Sequence, residues 1–385
     1  MKQVGGMSLI YLDNAATSWP KPESVYQATD YALRRAANPG RGGHRFSREA
    51  AARVLEAREV VADFFGVSDS RNIIFTSGAT ESINMVIYGL LPRMKSVVSA
   101  GSEHNALWRP LKDVSKRYAV KVEYISPLKE QGFDWAEYKQ ALSEQPNLVA
   151  ITHASNVTGQ LYPLTEMASM AKAAGALVFV DAAQTAGAIP LNFEALDVDF
   201  VAFPGHKGLL GPQGVGGLYI SPGVDLVPLR LGGTGSHSAV AEAPSQRPER
   251  FEAGTINVPG IAGLAAGIKY LKAVGLEAVN RHELGLRQRA KVGLHQLGAD
   301  IYGTSGAVVG VLSYNFPGME SGELAYILDD KFGICLRGGL HCSPRSHKSL
   351  GTMGPGTVRM SPGLFNTVED IDFLLNALDQ VQRDK

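Results

Sequence analysis

Residues 176–208 read ALVFVDAAQTAGAIPLNFEALDVDFVAFPGHKG. Two short apolar runs, ALVFV from 176 and DFVAF from 199, each end in chemically versatile residues: Asp181-Ala182-Ala183-Gln184 after the first, Pro204-Gly205-His206-Lys207-Gly208 after the second. Runs that are apolar throughout predict strands buried on both faces, as in a parallel sheet. Outward from this stretch the pattern repeats, with NIIFT near 72, SVVSA near 96, VKVEYI near 120 and LVAIT near 148. The segments 80–91, 104–118, 134–145 and 164–174 are long enough to be crossover helices. An open, mostly parallel α/β sheet is therefore expected.

Before the sheet, the chain is extended near 10–12, and a helix follows Pro22 with Val25, Ala28, Ala32 and Leu33 at helical spacing. A Gly/Arg-rich loop at 38–44 leads to a second helix, capped by Ser47 and stopped at Gly66. After the sheet, 222–258 is rich in Pro, Gly and Ser with little periodicity, which predicts a long functional loop. IAGLAAGIKYLKAV and HELGLRQRAKVGLHQL read as helices, VVGVLSYNF and GICLRG as strands, and a closing helix starts at Val368. The expected division is a large domain at 20–267 and a smaller α+β domain at 268–385, with 1–19 packing near the latter.

Composition excludes several classes of function. The 385 residues are 45% hydrophobic and 19% charged, and 37 Lys+Arg balance 37 Asp+Glu. That balance leaves no net field to attract nucleic acid or a membrane surface. No stretch offers the roughly 20 apolar residues that span a bilayer, and the N-terminus lacks a signal-like apolar region, so a cytoplasmic protein is expected. The two cysteines, Cys335 and Cys342, are too few for a disulfide framework, and with His341 they match no zinc pattern; no metal site is expected.

Ligands of open α/β sheets sit beyond the carboxyl ends of the strands. The candidates there are Ser77 to Glu81 at a helix start, Glu103-His104-Asn105, His153 to Asn156, Asp181 to Gln184, and His206-Lys207. Taken singly, the helix start reads as well as an ordinary Thr80 cap, and an isolated His or Asn reads better as a turn or a satisfied buried side chain; their shared address at the strand ends is what favours a site. Lys207 stands out, because an amine at the end of a buried strand can lose its proton and attack a carbonyl. An acid (Asp181), a helix N-terminus (Ala79, Thr80) and a ring cover (His104) complete what a pyridoxal 5′-phosphate (PLP) site needs.

The segments YLDNAAT, SGATESIN, SEHNA, THASNVTG, VDAAQ, GHKGLLGP, RFEAGT, RGGLHCSP and VRMSPGLFNT together resemble the class V aminotransferase-like proteins, in their cysteine desulfurase/selenocysteine lyase branch. The resemblance covers nearly the whole chain and implies a fold-type I PLP-dependent transferase. By it, Lys207 holds PLP as a Schiff base, Asp181 pairs with the pyridine nitrogen, Gln184 contacts the phenolic oxygen and His104 covers the ring. Ala79, Thr80 and His206 hold the phosphate, Thr255 reaches the phosphate of a neighbouring subunit, and Asn156 and Arg359 bind the substrate carboxylate. A homodimer follows from Thr255.

One residue departs from the family pattern. Pro204 replaces the usual Ser or Thr before Gly-His-Lys and removes a hydroxyl donor worth about 1–3 kcal/mol to the phosphate if nothing replaces it.

The implied reaction converts L-cysteine to L-alanine, with Cys342 as catalytic nucleophile carrying the sulfur as a persulfide. Lys207 takes the α-proton and His104 assists proton transfer. The sulfur would pass to an acceptor protein or small thiol, with iron–sulfur cluster assembly as the implied setting. Cys342 follows Arg337-Gly338-Gly339-Leu340-His341, a cationic, Gly-rich setting that favours a thiolate, whereas Cys335 in GICLR reads as a strand-core residue. L-Selenocysteine lyase, another β-lyase, an aminotransferase and a non-turning-over PLP-binding protein are the competing readings, separable by product analysis.

Overall fold

The computed structural model of the chain describes residues 2–4, 7–40, 42–126, 133–235, 241–303, 306 and 308–384, with side chains from residue 9. Strands β1 (Lys2–Val4) and β2 (Met7–Tyr11) precede helices α1 (Glu23–Arg35) and α2 (Arg45–Phe64). The alternating part follows as β3 (Ile73–Thr76), α3 (Ala79–Gly89), β4 (Ser96–Ser99), α4 (Asn105–Tyr118), β5 (Lys121–Tyr124), α5 (Trp135–Ser143), β6 (Leu148–Thr152), α6 (Leu164–Ala173), β7 (Leu177–Asp181), β8 (Phe200–Pro204) and β9 (Gly216–Ile220).

These strands form one seven-stranded sheet in the order β3-β9-β8-β7-β6-β4-β5. Strands β8, β7, β6, β4 and β5 run parallel, and β9 is antiparallel to both of its neighbours. The period of two sorts side chains to opposite faces. Along β8, Phe200 and Ala202 join a core with Ile83, Val86, Leu107 and Leu111 of α3 and α4, while Val201 and Phe203 face Val61, Met167 and Leu264.

Strand β9 escaped the sequence reading because GVGGLYI looks like a loop. Its glycines mark close approach instead. A Cβ on Gly217 would lie 2.3 Å from the Phe203 ring, and one on Gly216 would lie 2.7 Å from the Gly78 Cα. The chain thus brings β9 against the helix start that lines the site described below.

Helices α7 (Val258–Val274) and α8 (Leu276–Gln296) lead into β10 (Asp300–Tyr302), β11 (Leu312–Asn315), α9 (Ser321–Phe332), β12 (Ile334–Cys335), α10 (Pro344–Leu350), β13 (Val358–Met360) and α11 (Val368–Arg383). Strands β10, β11 and β13 make an antiparallel sheet, and β12 pairs in parallel with β2. Ile10 and Leu12 therefore share a separate core with Leu286, Tyr314, Val358, Met360 and Leu374. Helix α7 continues past residue 267, and its Ile268 and Leu271 pack in the large-sheet core.

Three local expectations need correction. Leu33 is 70% exposed although Val25 and Ala32 on the same helix are buried, so the apolar face of α1 is narrower than its spacing suggests. The cap of α2 is His44, whose ring accepts from the Ser47 N–H; Ser47 lies inside the first turn, buried and donating to Asn38 O at 2.7 Å. Cys335 is half-buried, and its thiol lies 3.6 Å from the Asp329 carboxylate rather than in an apolar core.

The 222–258 loop has no helix or strand among its described residues before α7 begins, and its 236–240 lie outside them, as does residue 41 of the 38–44 loop. It is anchored by a buried bidentate pair, Arg58 to Glu252 at 2.7 and 2.8 Å, with Glu252 also accepting from Phe75 N–H at 2.6 Å.

Candidate active site

The carboxyl ends of the parallel strands converge on a cavity of about 320 Å³. Asp181, the last residue of β7, is 3% exposed; its Oδ1 accepts from Ala183 N–H at 3.0 Å. Burial pushes its carboxyl pKa up, opposed by that hydrogen bond and by Lys207, and no ion pair to a described residue satisfies it. A buried carboxylate in this condition calls for a cationic partner.

Lys207 enters the same cavity from the turn after β8. Burial and, next, the nearby Arg359 lower its amine to about 8, with Asp181 opposing. The carbonyl of His206, directly before it, is fixed by four donors: Ser18 N–H at 2.9 Å, Ser18 Oγ at 3.2 Å, Thr17 Oγ1 at 3.1 Å and Lys21 Nζ at 2.9 Å. The lysine therefore leaves a rigid backbone.

Helix α3 opens the cavity's opposite side. Its N-cap is Gly78, at φ 150°, with no side-chain cap, so Thr80 does not cap the helix. The first N–H groups of an α-helix have no partner within it, and Ala79 and Thr80 line the cavity at this end. The buried His206 Nδ1 has no partner among the described residues. Burial first, then Lys207 and Lys21, lower that ring to about 4.

His104 caps α4. Its Nδ1 accepts from Ala106 N–H at 3.0 Å, which leaves the proton of the neutral ring on Nε2. Burial, followed by Lys207 and three arginines, lowers its pKa to about 4. Gln184 donates to Ala15 O at 3.1 Å.

Arg359 sits on β13, with Val358 and Met360 in the small core and its own side chain turned to the cavity at 1% exposure. Nη2 holds Asp13 at 2.6 Å and Nη1 holds Asn156 O at 3.1 Å, while Nε and Asn156 Oδ1 are buried with no partner among the described residues. The orphaned Arg359 Nε, the uncapped helix and the unpaired Asp181 fit a substrate carboxylate, a phosphate and a ring cation, whereas the free Asn156 Oδ1 is an acceptor and its amide donates to His341 O.

Cys342 lies outside this cavity. Its exposed side chain walls an adjoining cleft of about 600 Å³ that shares Thr80, His104 and Ala106 with the cavity. Arg337 Nη2 is 3.5 Å from Sγ. His341 and Cys342 both take left-handed φ values, 49° and 58°, which costs about 1–3 kcal/mol each. Hydrogen bonds hold that shape: Asn156 Nδ2 to His341 O at 2.7 Å, and Asn105 N–H to Cys342 O at 2.7 Å.

The family described as aminotransferase class-V matches residues 10–374. The chain belongs to the class-V aminotransferase family. Its relatives in that family include the "Probable cysteine desulfurase" of Methanothermobacter thermautotrophicus, 37% identical over 97% of this chain and 94% of the relative. The cysteine desulfurase of Haloferax volcanii is 34% identical over 96% of this chain and 89% of its own. The solved apo structure of cysteine desulfurase from Thermococcus onnurineus NA1 superposes with a TM-score of 0.91 at 36% identity, covering 98% of this chain and 95% of that one. Fold and family thus agree with the resemblance carried by the sequence segments.

Of the site residues expected in this family, Ala79, Thr80, His104, Asn156, Asp181, Gln184, His206, Lys207 and Arg359 meet in one cavity. Cys342 stands in the next cleft, and Thr255 is exposed and lines neither. Pro204 also lines the cavity; β7 stops pairing at Ala202, so the missing N–H breaks no bond on that side. Sequence reasoning passed over Asp13, inside YLDNAAT, which partners Arg359. His153 bonds Thr185 at 3.1 Å and Glu103 pairs with Arg345 at 3.2 Å, so both serve the fold.

Proposed function

We propose that this enzyme is a PLP-dependent cysteine desulfurase that takes L-cysteine, releases L-alanine and carries the sulfur on Cys342. The observation that carries this reading is the joining of the two spaces at His104 and Thr80: a lysine–aspartate–arginine cavity on one side, an exposed thiol beside Arg337 on the other.

Lys207 would hold PLP, with its phosphate at Ala79, Thr80 and His206, its ring nitrogen at Asp181, its phenolic oxygen at Gln184 and His104 over the ring. Bound there, PLP supplies an electron sink for the pair left at the substrate α-carbon. Asp181 keeps a proton on the ring nitrogen by offering a buried negative charge. Arg359 grips the substrate carboxylate in a planar pair, steadied by Asp13 and Asn156. Lys207, its amine lowered to about 8 chiefly by burial, takes the α-proton and can return it.

Cys342 Sγ then attacks the substrate sulfur. An S–S bond forms, the carbon–sulfur bond breaks with its electron pair left on the β-carbon, and that carbon takes up a proton. His104, neutral at pH 7 with its hydrogen on Nε2, acts as a hydrogen-bond donor and ring cover rather than as a charged acid.

The test is to incubate PLP-loaded protein with L-cysteine and with L-selenocysteine and to quantify alanine with sulfide or selenide. Alanine together with extra sulfur mass on Cys342 is expected from cysteine. An oxo-acid product would sink the reading in favour of aminotransfer.

The pKa of Lys207 gives a pH prediction. Only the unprotonated amine attacks a carbonyl, so covalent PLP capture by the cofactor-free protein should accelerate as pH rises and level off above about 8. An ordinary lysine would keep gaining about tenfold per pH unit toward 10. Stopped-flow absorbance from pH 6.5 to 10 separates the two, and a rate still climbing steeply at pH 9.5 contradicts the assignment.

Thr255 supports a homodimer in which each subunit contributes this hydroxyl to the other's phosphate. Sedimentation should show a dimer, and Thr255→Ala should weaken PLP retention about tenfold, the loss of one hydrogen bond to a charged group. A fully active monomer would reject that role. The same reading moves the expected boundary of 267 to beyond α7, whose Ile268 and Leu271 belong to the large-sheet core, and puts 1–19 on the small domain through Ile10 and Leu12. It places the protein in the cytoplasm; among the described residues no helix is long and apolar enough to cross a membrane.

A further inference from the structure

The cleft that exposes the Cys342 thiol contains a cation whose side chain pairs with none of the described residues. Its walls are Asn84 and Tyr88 of α3, Asn105, Arg109 and Asp113 of α4, and Cys342 itself. Asp113 is already engaged, since its Oδ2 accepts from the Tyr88 hydroxyl at 2.8 Å and from Arg117 at 3.3 Å. His104, at the boundary, is neutral at pH 7. Arg109 is exposed, and its guanidinium has no ion pair or hydrogen bond with any described residue.

Arg337 lies on Cys342 Sγ at 3.5 Å, so the space around the sulfur is electropositive. A surface arginine alone is only a solvated group. This one shares a cleft of small-molecule size, about 600 Å³, with the thiol assigned to carry sulfur.

We propose that this cleft is the acceptor site for sulfur transfer, and that Arg109 selects low-molecular-mass thiols bearing carboxylates. The proposal rests on Cys342 as the sulfur carrier. The acceptor thiolate attacks the outer sulfur of the Cys342 persulfide. A new S–S bond forms, the bond to Sγ breaks, and Cys342 leaves as a thiolate holding the electron pair. The hydrogen stays on the transferred sulfur, and no external oxidant or reductant is consumed. Opposite charge raises the encounter rate of an anionic acceptor, an effect that added salt screens.

The test uses full-length, PLP-loaded protein charged with one equivalent of L-cysteine. The alanine burst is measured first. Loss of the persulfide mass on Cys342 is then followed after adding mercaptosuccinate, 2-mercaptoethanol or cysteamine, each corrected for its thiolate fraction. Wild type should react fastest with mercaptosuccinate and slowest with cysteamine, with about 3- to 10-fold between neighbours at low salt. Arg109→Ala should erase the order and Arg109→Glu reverse it, with the alanine burst unchanged in both. Equal rates for the three thiols in wild type, or the same order in both variants, would overturn the proposal. Absence of the persulfide in wild type would instead overturn Cys342 as carrier.

Discussion

Cys342→Ala is expected to bind PLP and L-cysteine as the wild type does and to lose about 10³-fold or more of its L-cysteine desulfuration, the scale on which a removed nucleophile acts. The cofactor and carboxylate contacts lie in the cavity with Lys207, Asp181 and Arg359, and the thiol walls a different space. Its side chain is exposed, so truncation opens no core void and should leave stability nearly unchanged. Mass spectrometry should find no extra sulfur on the variant. Selenocysteine turnover should fall less, because selenide leaves carbon with less assistance. Unchanged cysteine desulfuration would refute the nucleophile and point to a simple β-lyase.

Lys207→Ala should be the more damaging change, with turnover of both substrates reduced by at least about 10³-fold, because one amine both anchors the cofactor and moves the α-proton. Non-covalent PLP binding should persist through the α3 N-terminus and Asp181. Borohydride, which fixes the wild-type imine as a secondary amine on Lys207, should label nothing in the variant. Peptide mapping locates the label. Covalent modification at another lysine in active protein, with Lys207 untouched, would defeat the assignment.

The two changes also separate the two spaces. Cys342→Ala leaves the pH dependence of PLP capture in place, since Lys207 owes its lowered pKa to burial and, after that, to Arg359. Lys207→Ala removes that dependence altogether. A variant pair that failed to divide in this way would mean that the cavity and the cleft do not act as distinct half-sites.

The sequence alone determined the alternation of strands and crossover helices, because runs such as LVAI and FVAF are apolar throughout and only a sheet covered on both faces buries them. It also determined which residues are chemically competent, since a polar residue at the end of such a strand has to face the rim of the sheet. Tertiary structure decided the rest. The glycines of β9 read as a turn until Phe203 and Gly78 are packed against them. Asp13 becomes the partner of Arg359 only because β2 and β12 carry the N-terminus onto the small domain, hundreds of residues away along the chain. Cys342 is equally reactive on paper anywhere in RGGLHC; its place in a neighbouring cleft follows from hydrogen bonds by Asn105 and Asn156, which fix a left-handed backbone that no local propensity favours. Local chemistry is written in residue types, whereas the distances between groups are set by which distant surfaces pack together.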